Sequence, residues 1–151
     1  MNPIATLTLQ ADLRYLRIAS IMAGNVAEIF ADVANFAEFC HAYELSVSEA
    51  FTNSVRYAEP SQKEKQVKIC FWSDNGTLTV NIIDKNPQFN PITEAPDINS
   101  YPEGGYGLFL IHRLMDKVAY TREDDSNILT MTKQPKITCN NALYCQIENR
   151  K

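Results

Sequence analysis

Two long segments in the first third of the chain repeat apolar residues every three or four positions, which is the spacing of an amphipathic helix. The first segment runs from Asp12 to Val33 and the second from about Phe36 to Tyr57. Asp12 is a suitable N-cap for the first helix, and Gly24-Asn25 is a candidate interruption within it. The pattern therefore predicts two consecutive helices, the second ended by the proline of Glu59-Pro60-Ser61.

Several other segments alternate apolar and polar residues, as strands do. A short segment, IATLTLQ, precedes the first helix. The segments KQVKICFWSD and TLTVNIID are joined by Asn75-Gly76, which is the strongest short hairpin signal. The segments KVAYTRE and NILTMTK predict a second hairpin through DDSN.

Residues 85–107 contain four prolines and three glycines and show no periodicity. A loop of this length is uncommon in a compact domain and is often functional, so we expect a lid between Asn90 and Glu103. The segment LFLIHRLMD then restores helical spacing, with Leu108, Ile111 and Met115 on one face. This spacing predicts a third helix directly after the loop.

The predicted order is strand, helix, helix, hairpin, loop, helix and hairpin. Helices grouped beside antiparallel strands indicate an α+β fold, a two-layer sandwich in which a mostly antiparallel mixed sheet is covered on one face by helices. A length of 151 residues is that of one ordinary domain. We therefore expect a single domain over 1–151, with 134–151 as a candidate C-terminal extension that holds one more strand-like segment, ALYCQIE.

Composition excludes several classes of function. The net charge of -4 argues against nonspecific binding to nucleic acid, which needs a basic patch. The chain has no run of about 18 apolar residues that could span a membrane, and its start, MNPIATLTLQ, lacks the features of a signal peptide.

The four cysteines fit no usual zinc pattern. Cys40 and Cys70 lie in helical and strand-like segments and are expected to be small core residues. A cytoplasmic protein with free thiols is the preferred interpretation, although the spacing of Cys139 and Cys145 leaves a pairing between them open.

The second predicted helix carries an acid and an amide on one side. Glu49 and Asn53 are four residues apart and share a stripe, roughly opposite the apolar stripe that includes Phe51, and Arg56 follows one turn later. Taken alone, the pair fits a solvated helix face.

Two further features have both a structural and a functional interpretation. The segment EGGYGLFLI places three glycines before a helix, where the backbone N–H groups and the helix dipole form an anion site, but a flexible hinge has the same composition. Asp84 ends the strand TLTVNIID. Its carboxylate could accept a hydrogen bond from an exocyclic amine such as that of adenine, or it could simply start a turn.

Taken together, these features resemble the GHKL ATPase superfamily over about residues 10–133. The segments EAFTNSVRYA and GGYGLFLIHRLMDKV, with the strand that ends in Asp84 between them, occur in the order and approximate spacing of that superfamily. Within it the chain is most similar to the small serine kinases that act as bacterial anti-sigma factors, the RsbW and SpoIIAB type. The resemblance implies a GHKL (Bergerat) ATP-binding fold that binds ATP and Mg²⁺.

The resemblance also implies a role for individual residues. Glu49 matches the general base that acts on the attacking hydroxyl, Asn53 matches the amide that holds Mg²⁺, and Asp84 matches the carboxylate that binds adenine. Arg56 would lie near the phosphates. The remaining matches are the phosphate-binding loop and helix start, Gly105, Tyr106, Gly107 and Leu108, and a threonine near the adenine, Thr130.

The chain departs from the superfamily pattern in the loop after Asp84. DKNPQF stands where Asp-x-Gly-x-Gly-Phe is usual. Asn86 can adopt left-handed φ nearly as glycine does, whereas Gln88 adds a side chain where the backbone should approach the base. Tyr57 replaces a frequent histidine, and the segment from Asn90 to Gly107 contains no Lys or Arg to clamp the γ-phosphate.

The function implied by the resemblance is an ATP-dependent serine/threonine protein kinase in a partner switch. Its substrate would be a small STAS-type antagonist protein, its other partner a sigma factor or similar regulator, and its assembly a homodimer. A non-catalytic module of the same fold that binds ATP or sequesters a partner is the first alternative. A histidine-kinase-like ATP-binding domain is the second, although the chain has only His41 and His112 and no room for a phosphoacceptor helix pair.

Overall fold

A computed structural model of the protein describes residues 1–31, 33–60, 65–88 and 106–136. The elements, in chain order, are β1 (Ala5–Gln10), a 3-10 helix (Leu13–Tyr15), α1 (Leu16–Phe30), α2 (Phe36–Arg56), β2 (Gln66–Asp74), β3 (Thr77–Asp84), α3 (Tyr106–Leu114), β4 (Lys117–Glu123) and β5 (Ser126–Lys133). The expected lid, Gly105 and nearly all of the expected C-terminal extension lie outside the described residues.

The five strands form one sheet in the order β1-β2-β3-β5-β4. The predicted α+β class is confirmed, but a mixed sheet was wrong for the described strands, because all four pairings are antiparallel. The reason lies in the connection from β1 to β2. The chain passes through two helices, α1 and α2, between these strands and enters β2 in the direction opposite to β1.

Both predicted hairpins are confirmed. Asn75 and Gly76 join β2 to β3 with φ values of 49° and 79°. Two successive positive φ values are the requirement of a type I′ turn, whose twist matches that of the strands. Asp124 and Asp125 form another two-residue turn, from β4 to β5, in which only Asp124 has a positive φ, of 52°.

The first helical segment begins as predicted, because Oδ1 of Asp12 accepts a hydrogen bond of 2.9 Å from the backbone N–H of Arg14. The predicted interruption at Gly24-Asn25 is wrong, and α1 continues through both residues. Gly24 instead permits close packing on α2, since a Cβ there would lie 3.0 Å from Oε2 of Glu44. Ser20 donates to Oε1 of the same glutamate over 2.6 Å.

The core lies between the helices and one face of the sheet. Its largest fully buried side chains include Tyr43, Phe51, Phe71, Ile69, Leu78, Ile82, Ile111 and Met131. Cys40 and Cys70 are buried free thiols, as predicted. Across the described ranges, no helix is both long and apolar enough to cross a membrane. With its apolar side turned to the core, α2 presents its polar stripe towards α3.

Candidate functional site

The polar stripe of α2 meets the first turn of α3. A Cβ added to Gly107 would lie 2.9 Å from Oε2 of Glu49, and 3.3 Å and 3.4 Å from the side-chain nitrogen and oxygen of Asn53. Glycine at this position therefore allows the backbone of α3 to approach both side chains closely. Three residues predicted from the sequence, Glu49, Asn53 and Gly107, are brought together.

The start of α3 is electropositive because the first N–H groups of a helix have no partner within the helix. The first turn of α3 contains no acidic residue of its own, so the carboxylate of Glu49 from α2 supplies the nearby negative charge. Tyr106 is exposed in this turn, whereas Gly107 is buried. The turn offers N–H donors beside an acid and an amide, an arrangement suited to a phosphate that also carries a metal ion.

A recess of about 50 Å³, partly open to solvent, adjoins this turn. Asn53 lines the recess and also contacts the Gly107 position, so the two features are continuous. The recess is lined by Ala50, Asn53, Ser54, Tyr57, Ile82, Asp84, Asn86, Pro87, Leu108, Tyr120, Asn127 and Leu129. Apolar walls with a few polar groups at one end are typical of a site for a flat organic ring.

Asp84 forms the polar end of the recess and is the last residue of β3, as predicted. Its Oδ2 accepts a hydrogen bond of 2.7 Å from the hydroxyl of Ser54. Its Oδ1 accepts one of 3.1 Å from the backbone N–H of Asn86 and one of 2.9 Å from the amide of Asn127. A carboxylate has about four acceptor positions, so one position, on Oδ2, is not used by any of the described residues.

Asn127 fixes this end of the recess. Its Nδ2 also donates to the carbonyls of Asn86, over 2.9 Å, and Pro87, over 3.3 Å. Its Oδ1 accepts from the hydroxyl of Tyr120 and from Nη1 of Arg122, both over 2.6 Å. The side chain therefore ties the loop after β3 to strands β4 and β5.

The prediction that Thr130 lines this site is wrong. Residues paired directly across antiparallel strands share a face, and Leu129, which lines the recess, pairs with Ile82 and Tyr120, which also line it. Thr130 is the next residue along β5, so its side chain points to the opposite face of the sheet. Asn127, two residues before Leu129, is the polar residue of β5 on the recess side.

Sequence reasoning missed four residues of this network: Ser54, Tyr120, Arg122 and Asn127. Ser54 follows Asn53 on α2, and the other three lie on the β4–β5 hairpin. Two-residue alternation along the predicted hairpin groups Asn127 with Leu129 and Met131, but Ile128 is apolar on the other face, so the sequence pattern does not identify which face meets the helices.

The loop after β3 differs from the expected conformation. Asn86 does not adopt left-handed φ, since the described non-glycine residues with positive φ are Asn75 and Asp124. Asn86 is buried instead, and its Nδ2 donates to the carbonyl of Ser54 over 2.8 Å, which holds the loop against α2. Gln88 is exposed and does not line the recess, so its side chain does not fill the space for a base.

Two other predicted positions lie at the end of α2. Tyr57, which stands where a histidine is frequent, lines the recess. Arg56 is exposed at the last residue of α2 and is not part of the recess wall. A contact of Arg56 with phosphate stays a prediction.

The donor set beside α3 is suited to Mg²⁺ shared with phosphates. No cluster of three or more His, Cys, Asp and Glu side chains that could hold a metal by itself occurs within the described ranges. Mg²⁺ is commonly held by one or two protein oxygens together with substrate phosphates and water. The side-chain oxygens of Asn53 and Glu49 meet that requirement.

Comparison with known proteins agrees with this geometry. The model of the histidine kinase-like ATPase domain matches residues 9–133. A serine-protein kinase RsbW from Listeria monocytogenes serovar 1/2a is 28% identical over 143 residues, which cover 88% of each chain. An RsbW from Staphylococcus epidermidis is 32% identical over 95 residues, 56% of this chain and 60% of that protein.

A solved structure shares the fold. The crystal structure of the RsbU and RsbW domains of Rv1364c from Mycobacterium tuberculosis superposes with a TM-score of 0.61 at 15% identity. The match covers 87% of this chain and 33% of that chain, so this chain corresponds to about a third of that protein's length. At this identity the likeness is one of fold.

Proposed function

The chain belongs to the histidine kinase-like ATPase domain family, and we propose that it is an ATP-dependent serine/threonine protein kinase of the anti-sigma-factor type. One observation carries the proposal. Glu49 and Asn53 meet the backbone of Gly107 beside a recess that ends in Asp84. One continuous site would then contain the general base Glu49, the metal ligand Asn53, the phosphate-binding start of α3 and the purine acceptor Asp84.

We propose that the adenine ring lies in the recess between Ile82, Leu108 and Leu129, with its exocyclic amine donating to Oδ2 of Asp84. The acceptor position left free on Asp84 supports this orientation. The recess opens past Asn53 towards the start of α3. The triphosphate would follow the same path, since the N–H groups and dipole of α3 favour anions there.

Asn53 would hold Mg²⁺, which neutralises charge on the triphosphate when bound. Glu49, one turn earlier on α2, would then act on the incoming serine or threonine. The hydroxyl oxygen attacks the γ-phosphorus, its proton passes to the Glu49 carboxylate, and ADP leaves. Phosphoryl transfer depends mainly on positioning and charge neutralisation, and few other side chains are needed.

The protein substrate would be a small STAS-type antagonist, and the competing partner would be a sigma factor or similar regulator. The similarity to RsbW serine-protein kinases over 88% of the chain supports this assignment. We further propose that the protein works in the cytoplasm as a homodimer. Phosphoserine formation on such an antagonist, with Mg²⁺ and ATP, is the experiment that tests the kinase proposal.

A nucleotide-binding module without transferase activity is the second candidate. One observation favours it. The carboxylate of Glu49 lies where it can stabilise the start of α3 electrostatically, a role that needs no phosphoryl transfer. A protein that binds Mg²⁺-ATP and the antagonist but forms no phosphoserine would be this module.

A further inference from the structure

A second pocket lies near the opposite end of α2 from the recess. Its wall includes Phe39, which is 14 residues from Asn53 along the helix and therefore about 21 Å away at 1.5 Å per residue. The pocket has a volume of about 180 Å³ and is formed by the start of α2, the end of α3 and the residues at and after the end of β5. It is separate from the site assigned to the nucleotide.

The lining of this pocket combines apolar and basic groups. The apolar groups are Val33, Phe39, Ala42 and Leu114, and the basic ones are His41, Arg113, Lys133 and Lys136. Glu38 is the acidic residue in the wall. The pocket is therefore electropositive on a chain whose net charge is -4.

One of the basic groups already has a structural role. The ammonium of Lys133 donates to the carbonyl of Leu114 at the end of α3, and its Nζ lies 5.8 Å from the centre of the Phe39 ring. It therefore caps α3 and packs on the pocket wall. Arg113 and Lys136 differ from it, since within the described ranges neither side chain has a hydrogen bond or an ion pair.

We propose that this pocket binds a small organic anion. Its carboxylate or phosphate group pairs with Arg113 and Lys136, and its apolar body lies against Phe39 and Ala42. The volume sets the size of the ligand, because about 180 Å³ is below the range of roughly 300–1,000 Å³ that holds drug-sized molecules. A molecule of one ring with one anionic group fits these limits. The inference does not depend on the proposed kinase activity.

Titration of the ¹⁵N-labelled protein, followed by NMR, tests the site and locates it. Phenyl phosphate and benzoate are the probes that separate phosphate from carboxylate, and benzyl alcohol is the neutral analogue. We expect the anions to shift the backbone amides of Phe39, Ala42 and Leu114, and benzyl alcohol to bind much more weakly. Shifts confined to Asn53 and Leu108 would mean that the probes bind only in the nucleotide recess, and the proposal would be wrong.

Charge variants test the roles of Arg113 and Lys136. The double variant Arg113→Gln/Lys136→Gln should bind the preferred anion at least about tenfold more weakly than the wild type. The matched control, Arg17→Gln/Lys68→Gln, removes one exposed arginine and one exposed lysine elsewhere and should bind it normally. Equal affinity in the wild type and the pocket variant would overturn the proposal.

A third variant tests the apolar part of the site. Ala42→Leu keeps a good helix former and fills the space beside Phe39, so it should weaken phenyl phosphate more than inorganic phosphate. If inorganic phosphate binds as tightly as phenyl phosphate, and Ala42→Leu changes neither, the pocket is only a basic surface. Absence of any shift in the wild type up to about 10 mM probe would also contradict the proposal. An acidic protein segment that shifts these amides when neither small anion does would assign the surface to a protein partner instead.

Discussion

The amide of Asn127 donates a hydrogen bond of 2.9 Å to Oδ1 of Asp84, and the two residues face each other directly across strands β3 and β5. This pair helps to fix the carboxylate at the end of the recess, where Oδ2 accepts a hydrogen bond from Ser54 and has one further acceptor position. Because Asn127 is buried and also bonds the loop after β3, the same side chain affects both the stability of the fold and the geometry of the site.

Replacement of Asn127 by leucine should lower both stability and nucleotide affinity. The change leaves buried polar groups without partners, each at a cost of about 1–3 kcal/mol, and removes one of the three hydrogen bonds that hold the Asp84 carboxylate. Thr130→Val is the matched control, since Thr130 lies on the same strand but on the opposite face of the sheet. Urea unfolding and calorimetry with Mg²⁺-ATP measure the two effects. A loss of ATP affinity in Thr130→Val equal to that in Asn127→Leu would contradict the assigned faces.

Asp84→Asn should remove most of the thermal stabilisation that Mg²⁺-ATP gives to the wild type. A ligand that binds only the native state at 100 times its Kd adds about 2.7 kcal/mol to the free energy of unfolding. Asparagine keeps the shape of the side chain but replaces one acceptor oxygen with a donor. Melting curves with and without nucleotide measure the shift. An equal shift in the variant would show that Asp84 does not bind the adenine ring.

Gly107→Ala should impair nucleotide binding with little loss of stability. The new methyl group would lie 2.9 Å from Oε2 of Glu49, and the end of that flexible side chain can move away, while alanine favours the helix by up to about 1 kcal/mol. Gly24→Ala is the control, because its methyl group would meet Oε2 of Glu44 at 3.0 Å, away from the site. If calorimetry finds unchanged ATP affinity in Gly107→Ala, the phosphates do not bind beside Glu49 and Asn53.

Tyr43 should contribute to the loss of stability in alkali. The side chain is fully buried, its hydroxyl has no hydrogen-bond partner in the described part of the chain, and burial raises the pKa of the phenol above the ordinary value near 10. The unfolded chain then ionises first, so the free energy of unfolding falls as the pH rises above about 10. Tyr43→Phe should lose less stability over that range and should not be destabilised at pH 7. Denaturant unfolding at both pH values provides the comparison.

Local patterns in the sequence determined much of the fold and half of the site. Asn75-Gly76 predicts its turn because few other dipeptides accept two positive φ values, and the spacing of Glu49 and Asn53 places both on one helical stripe regardless of what packs there. The glycines before α3 likewise mark a helix start, and Gly107 lies where the polar stripe of α2 arrives.

The errors concern contacts between distant elements. Gly24 looks like a helix interruption until the close approach of α2 at Glu44 is known. Thr130 and Asn127 lie on opposite faces of β5, but Ile128, Leu129 and Met131 are apolar on both faces, so alternation alone does not identify the face that meets the helices. Asn86 is held by a hydrogen bond to the carbonyl of Ser54, 32 residues earlier. No local sequence pattern predicts a contact over that separation.

The central claim is that Glu49 acts as the base in phosphoryl transfer, and the most direct test is phosphoserine formation on the cognate antagonist. The comparison uses the wild type, Glu49→Gln and the exposed control Glu123→Gln, with Mg²⁺-ATP affinity measured for each. General-base catalysis contributes about 10²–10⁴ in rate, so Glu49→Gln should transfer at least about 10²-fold more slowly at nearly normal ATP affinity, while Glu123→Gln should match the wild type. A Glu49→Gln protein as active as the wild type would contradict the account.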